Sequence, residues 1–212
     1  MCPQSSGFLI VFEGIDGSGK TTQIGSIATS LRNHHGYTVT VTHEPNHDSP
    51  YHHLIKEKVR KHRNKTPPEE ELQLYLKDRR WDLEHNILPA LKRGEIVLVD
   101  RYYLSNAAYQ GALSAFTPTD VLARNKFARK PDLWIILDVS VELGQSRIAT
   151  RNKKYEEDQL ETAAFQRIVR INYQQLVKLD QIGRVEWIDT EVLTEEELTE
   201  RIMQVILPLI GH

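Results

Sequence analysis

The residues best placed to do chemistry stand near the start of the chain. Gly14-Ile15-Asp16-Gly17-Ser18-Gly19-Lys20-Thr21 fits the spacing G-x-x-x-x-G-K-[ST], with Thr22 next in line. Glycines let a backbone turn sharply and bring several N–H groups close to one phosphate. A helix beginning at Lys20 points its positive end at the same group. Lys20 then reaches the outer phosphates, and the Thr21 hydroxyl offers a ligand for Mg²⁺. The chemistry implied is binding of a nucleoside triphosphate, which switches, pumps, helicases and small-molecule kinases share.

A second constellation closes an apolar run at Val99-Asp100-Arg101-Tyr102. An acid at the carboxyl end of a strand beside the phosphate loop sits at the ligand crevice, where Asp100 can hold a metal ion or its waters. Arg101 suits a phosphate clamp, since a guanidinium forks onto two oxygens. Ser105, Ala108, Tyr109 and Gln110 follow at once. Later in the chain Arg147, Arg151, Lys153 and Lys154 gather cations, and Arg147 and Arg151 share one helix face.

These residues need a frame, and the chain alternates strand and helix. Phe8–Glu13 is a continuous apolar run, as in a strand covered on both faces. Ile24, Ile27, Ala28 and Leu31 repeat at helical spacing, with Gly36 as the stop. Tyr37–His43 alternates Thr with Val, and Tyr37, Val39 and Val41 share one face. His43–Lys65 is polar and reads as a loop with one short helix. Pro67 and Pro68 precede a helix opening at Glu69, whose stripe is Leu72, Tyr75, Leu76 and Arg79. Pro89 should break or restart it near Asn86–Ala90. Glu95–Asp100, Asp132–Val139 and Arg184–Asp189 are the remaining strands. A capping box of Thr194 and Glu197 opens the last helix, expected to bury Leu198, Ile202, Val205 and Leu209. Five strands alternating with helices predict an α/β three-layer sandwich around a parallel sheet.

Composition agrees. The 212 residues are 40% hydrophobic and 26% charged, with 27 Lys+Arg against 29 Asp+Glu. That suits one folded domain over residues 1–212 and gives no polybasic surface for nucleic acid or membrane. A single cysteine, Cys2, rules out an internal disulfide and Cys-only metal sites. No apolar run is long enough for a membrane span, so a cytoplasmic protein is expected. Among the nine histidines, His43 and His47 stand four apart, but Pro45 between them argues against a helical metal pair and for a solvated loop.

The segment LVDRYYLSNAAYQG resembles the most distinctive stretch of the thymidylate kinase (dTMP kinase) family. FEGIDGSGKTTQ, EELQLYLKDRRWDLEHNILPAL, PDLWIILDVSVELGQSRIATR and AAFQRIVRINYQQL resemble that family's opening loop, its Asp-Arg helix, its lid entry and the helix after the lid. The resemblance implies a P-loop kinase fold with a lid at about 147–160, using ATP and Mg²⁺ to phosphorylate dTMP. It assigns Asp16 to the sugar 3′-hydroxyl, Tyr75 to stacking on thymine and Arg79 to the base. It assigns Arg101 to the acceptor phosphate, and Ser105, Tyr109 and Gln110 to base and sugar, with Glu44 at the border of that site. Thr21 and Asp100 would hold the metal. Family members carry a catalytic cation either in the phosphate loop or in the lid. Gly17 leaves the loop with Lys20 alone, so the chain resembles the lid-cation type, with Arg147 on adenine and Arg151 on the moving phosphoryl group, Lys153 being its rival. Members pair as homodimers, and Leu72–Arg79 and Tyr103–Leu113 are the candidate surfaces.

The sequence also departs from the family. His43-Glu44-Pro45-Asn46-His47 stands where bacterial relatives have Arg-Glu-Pro-Gly-Gly, and Lys56 stands where Arg is common. The lid is about three residues longer, which leaves Glu156, Glu157 and Asp158 as alternatives for its acid. Another acceptor, such as dUMP, and a nucleotide-dependent interaction module without phosphoryl transfer are the competing readings.

Overall fold

A computed structural model describes residues 7–113, 115–151 and 162–211. Five parallel strands form one sheet in the order β2-β3-β1-β4-β5. They are β1 (Phe8–Glu13), β2 (Val39–His43), β3 (Ile96–Asp100), β4 (Leu133–Asp138) and β5 (Val185–Asp189). The helices are α1 (Lys20–Asn33), α2 (Pro50–Leu54), α3 (Pro68–Asp82), α4 (Leu88–Lys92), α5 (Tyr103–Gly111), α6 (Pro118–Arg124), α7 (Val141–Arg151), α8 (Ala163–Leu176) and α9 (Glu195–Ile210).

Alternate residues of the central strands enter two cores. Ile10, Phe12, Leu98 and Ile135 meet Ile24, Ile27 and Leu31 of α1 and Ile202 and Ile206 of α9. Leu9, Val11, Val97, Val99 and Trp134 meet α3, α4, α5 and α8 on the opposite face. A strand buried on both sides cannot alternate apolar with polar, which is why FLIVF is a continuous run. The expected three-layer α/β architecture is present.

Local signals explain most element ends. Gly36 takes φ +71°, and Tyr37 donates its N–H to the Leu31 carbonyl, which turns the chain out of α1. Thr194 and Glu197 form both bonds of a capping box. Pro89 lacks an amide, and the chain passes through a wider turn at Leu83–Ile87 before α4 restarts with Pro89 in its first turn.

In β2, Val39 is buried, while Val41 is 44% exposed and Thr42 is buried, bonded to Asp82. Two expectations are corrected. In α9 the buried ladder runs Leu198, Ile202, Ile206 and Ile210, with Val205 and Leu209 only partly covered. The segment after β2 is more helical than a loop with one short helix. It runs from α2 through a wide turn at Ile55–Arg60 to a short 3₁₀ turn at Arg63–Lys65.

Candidate active site

The sheet delivers its loops to one rim, at the carboxyl ends of β1, β2 and β3. β1 ends at Glu13 and runs into the phosphate loop. Arg101 N–H bonds the Phe12 carbonyl at 2.9 Å, and Glu44 N–H bonds the Asp100 carbonyl at 3.0 Å, so the three strand ends stay level. Two cavities open there, of about 350 Å³ and about 300 Å³, and both have Asp16 and Arg101 in their walls.

The smaller cavity is built on the phosphate loop. Gly17, Gly19, Lys20, Thr21, Thr22, Asp100 and Arg147 line it. Lys20 Nζ donates to the carbonyls of Gly14 at 3.1 Å and Ile15 at 2.9 Å, and lies 3.4 Å from Ser18 Oγ. Burial, and then the charge of Arg101, lower the Lys20 ammonium to about 8. Ile15 and Ser18 are buried and lie outside the cavity lining. Thr21 Oγ1 donates to Asp100 Oδ2 at 2.6 Å.

Gly17 has φ +78°, and a Cβ there would sit 2.2 Å from the Gly144 carbonyl oxygen of α7. The phosphate loop therefore has no room for a basic side chain at this position. The contact also seats α7 directly on the loop. Arg147 extends from that helix to the Thr190 carbonyl at 3.1 Å and Thr190 Oγ1 at 3.3 Å, on the cavity edge. The side chain of Arg151 and all of Lys153, Lys154, Glu156, Glu157 and Asp158 lie outside the described residues.

The larger cavity gathers Asp16, Glu44, Tyr75, Arg79, Arg101, Ser105, Tyr109 and Gln110, every acceptor-side residue expected from the sequence. Arg101 holds φ +67°, the one left-handed non-glycine backbone among the described residues. Such a conformation costs about 1–3 kcal/mol and persists only where surrounding bonds enforce it. Those bonds run from its guanidinium to Asp16, to Ser105 Oγ at 3.0 Å and to the Gly14 carbonyl at 3.3 Å. Burial raises the Asp16 carboxyl, but Arg101 and Lys20 outweigh it and hold the group below its ordinary value. Tyr109 donates to Asp16 at 3.1 Å.

Ser105 is less a ligand-facing residue than expected. Its hydroxyl donates to Glu13 and accepts from Arg101. Glu13 also accepts from the amides of Tyr102 and Ser105 at 2.9 and 3.0 Å and from Tyr173 Oη at 2.8 Å. This fully buried acid, raised by burial, fastens the start of α5 to the end of β1.

Arg79 is 2% exposed and directs Nε and Nη2 onto the two oxygens of Glu44. Nη1 donates to Asn106 Oδ1 at 3.2 Å and to Asn125 Oδ1. Four of its five N–H bonds are thereby engaged among the described residues, and one Nη2 hydrogen remains for a ligand. Burial holds the Glu44 carboxyl well above its ordinary value despite the lowering effect of Arg79.

The altered segment after β2 is held from beneath. Asn46 N–H bonds Asp78 Oδ2 at 3.0 Å, and Asn46 Nδ2 bonds Asp82 Oδ1 at 2.7 Å. Burial raises Asp78 to about 6. On the outer side His43, His47 and His52 meet edge to face, with ring centroids 4.2 and 4.5 Å apart.

Sequence reasoning missed Glu13, Arg60, Arg63, Glu71, Asn106 and Asn125. Arg60 and Arg63 line the larger cavity but sit in a charge run that reads as solvated. Asn106 stands in the family-like segment LVDRYYLSNAAYQG, where the resemblance assigns it no role, and Asn125 carries no sequence signal. The two surfaces expected to pair with a second copy are mostly consumed inside this chain: Leu72, Leu76 and Arg79 are buried, as are Tyr103 to Ala108 and Gln110.

A family profile described as Thymidylate kinase matches residues 12–202. A thymidylate kinase of Desulfotalea psychrophila is 48% identical over 144 residues, covering 68% of this chain and 69% of that protein. A probable thymidylate kinase of Archaeoglobus fulgidus is 46% identical over 145 residues, covering 68% and 71%. A probable thymidylate kinase of Staphylothermus marinus is 41% identical over 178 residues, covering 82% and 83%. Since the span matched by the profile takes in every wall of both cavities, the chain belongs to the thymidylate kinase family.

Proposed function

We propose that the chain transfers the γ-phosphoryl group of ATP to the 5′-phosphate of dTMP, giving dTDP and ADP. The observation that carries this is the meeting of two cavities at Asp16 and Arg101, one built on a phosphate loop and the other on Arg79, Tyr75 and Gln110. A phosphate donor in the first and a nucleoside monophosphate in the second would bring their phosphates together at Arg101.

An oxygen of the acceptor phosphate forms the new bond to the γ-phosphorus, and the bond from that phosphorus to the β,γ-bridging oxygen breaks. The acceptor is already ionised near neutral pH, so its attack needs no strong general base. Catalysis is then positioning and charge neutralisation. Lys20 leaves the Gly14 and Ile15 carbonyls to meet the donor phosphates. Arg101 holds the acceptor phosphate in line. Asp16 accepts from the sugar hydroxyl, Tyr75 stacks on the base, and Arg79 and Gln110 bond its edge. Arg147 flanks adenine, and Arg151 in the lid neutralises the moving group.

Thr21 Oγ1 and Asp100 Oδ2, 2.6 Å apart at the floor of the donor cavity, are a hydroxyl and a carboxylate, the hard oxygen donors that Mg²⁺ prefers. Those two residues would hold the ion or its waters, and Mg²⁺ supplies charge neutralisation of the donor phosphates. The reading includes a single domain over residues 1–212, a homodimer and a cytoplasmic location. No helix among the described residues is long and apolar enough to cross a membrane.

The test is ADP release by purified protein given ATP, Mg²⁺ and one nucleoside monophosphate at a time. Strong preference for dTMP supports the reading. Preference for another acceptor would move the specificity to the altered His43–His47 segment, and ATP binding without transfer to any acceptor would overturn the kinase reading.

A further inference from the structure

Beneath the larger cavity runs a chain of buried amides clamped between charges. Arg79 Nη1 donates to Asn106 Oδ1 at 3.2 Å, Asn106 Nδ2 donates to Gln110 Oε1 at 2.6 Å, and Gln110 Nε2 donates to Glu71 Oε1 at 3.0 Å. Arg63 closes it, with Nη1 3.1 Å from the same Glu71 oxygen. Arg79, Asn106, Gln110 and Glu71 are each 4% exposed or less.

An amide can turn over and exchange its donor for its acceptor, but these two cannot. A guanidinium only donates, so the oxygen of Asn106 must face Arg79. The Glu71 oxygen that faces the Arg63 guanidinium accepts, so the nitrogen of Gln110 must face it. The link between the two amides agrees with both ends. Reversing either would set two donors or two acceptors against each other in a buried place, which costs about 1–3 kcal/mol per unmet group.

Gln110 forms part of the cavity wall and keeps one N–H and one lone pair beyond this chain. Which stands where decides the base. A thymine edge offers a carbonyl acceptor beside a ring N–H donor. A cytosine edge offers an amino donor beside a ring nitrogen acceptor. The same glutamine turned over presents the opposite pair.

We propose that Glu71, through Gln110, is the positioning residue that sets selection of a thymine-type over a cytosine-type edge. This rests on the acceptor reading given under the proposed function. Glu71 touches the amide and not the reacting atoms. Its removal should change the choice of acceptor more than the rate of transfer.

The experiment compares kcat/KM for dTMP and dCMP in wild-type protein and in Glu71→Gln, with KM for ATP as a control. Glutamine keeps the shape but can donate as well as accept, so one of the two ends that fix Gln110 is lost and only the Asn106 amide still opposes its turning. The dTMP-to-dCMP ratio should fall at least tenfold, while KM for ATP stays within about threefold, the change expected for about 1.4 kcal/mol of lost discrimination. Glu71→Asp keeps an acceptor-only group and should retain most of the ratio. Losing one charge of a buried pair can impair folding, so the double variant Arg63→Gln/Glu71→Gln, which leaves no unpaired charge, is measured beside it. A folded single or double variant with an unchanged ratio overturns the proposal. Equilibrium binding of dTMP and dCMP keeps the two claims apart. A wild-type protein that binds dTMP selectively without phosphorylating it fails the kinase reading alone, whereas one that binds both equally fails this proposal.

Discussion

Replacing Arg79 by Met should destabilise the protein heavily, and the reason is Glu44 rather than Arg79. Both side chains are almost fully buried and meet through two contacts. Removing the cation leaves a carboxylate with no compensating charge, a loss worth about 3–5 kcal/mol. The guanidinium also lies 5.3 Å from the centre of the Tyr102 ring, a buried cation–π contact worth about 1–2 kcal/mol more. A total near 4–7 kcal/mol corresponds to a fall in Tm of about 8–28 °C for a domain of this size. The sign with pH follows from the carboxyl. Burial already holds Glu44 well above its ordinary value, and losing Arg79 pushes it higher. An acid raised in the folded state contributes its stability below its unfolded value and loses it as pH rises through the folded value. The deficit of Arg79→Met should be smallest near pH 5 and largest near pH 8. Adding Glu44→Gln removes the stranded charge and should recover about 2–3 kcal/mol, read as a coupling energy in a double-mutant cycle. Thermal and urea melts of the four proteins at pH 5 and pH 8 check this. A single-variant loss below about 1 kcal/mol, a loss independent of pH, or no recovery in the double variant would refute the reasoning.

Three further outcomes are expected. Arg101→Lys keeps the charge but loses the fork, about one charge-assisted bond of 1.5–3 kcal/mol, so kcat/KM for the acceptor should fall about 10- to 150-fold. Calorimetry should find ATP affinity within about threefold of wild type, and near-normal turnover would remove Arg101 from its role. Lys20, lowered to about 8 by burial, should regain full charge against polyphosphate, so ATP binding near pH 8 takes up a fraction of a proton, measured as binding heats in buffers of different ionisation enthalpy. Asp78, raised from 3.8 to about 6, loses stability as pH rises through 6, so wild type should gain on Asp78→Asn by up to about 3 kcal/mol as pH is lowered from 7 to 4. Denaturant melts across that range decide it, and parallel curves would contradict the assignment.

The legible parts of the chain were those whose cause is local. Glycine spacing after an apolar strand located the phosphate loop, because backbone approach to a phosphate needs those residues whatever surrounds them. Thr194 and Glu197 fixed the start of α9 for the same reason. Phase was less legible. The run Val205–Ile210 is apolar almost throughout, so the pattern cannot choose between Val205 and Leu209 and the observed Ile206 and Ile210. In β2 both faces are β-branched, and Thr42 turns inward because Asp82, forty residues away, is there to accept from it. Buried charge was the least legible. Asp78 and Asp82 look like a solvated helix face until Asn46 is brought against them by the fold. Arg79 stands in the stripe that the spacing marks, but its burial against Glu44 carries no local signal. Glu71 hid in an acidic first turn whose charge suits any helix start.

The central claim is that the two cavities joined at Arg101 are a donor site and a thymidylate site. Its most direct test is a competition, with ATP and Mg²⁺ supplied to equal concentrations of dTMP, dUMP and dCMP and the nucleoside diphosphates separated by chromatography and quantified over time. The account predicts that dTDP appears first and dominates until dTMP is consumed. Products forming in parallel, or one of the other diphosphates leading, would contradict it.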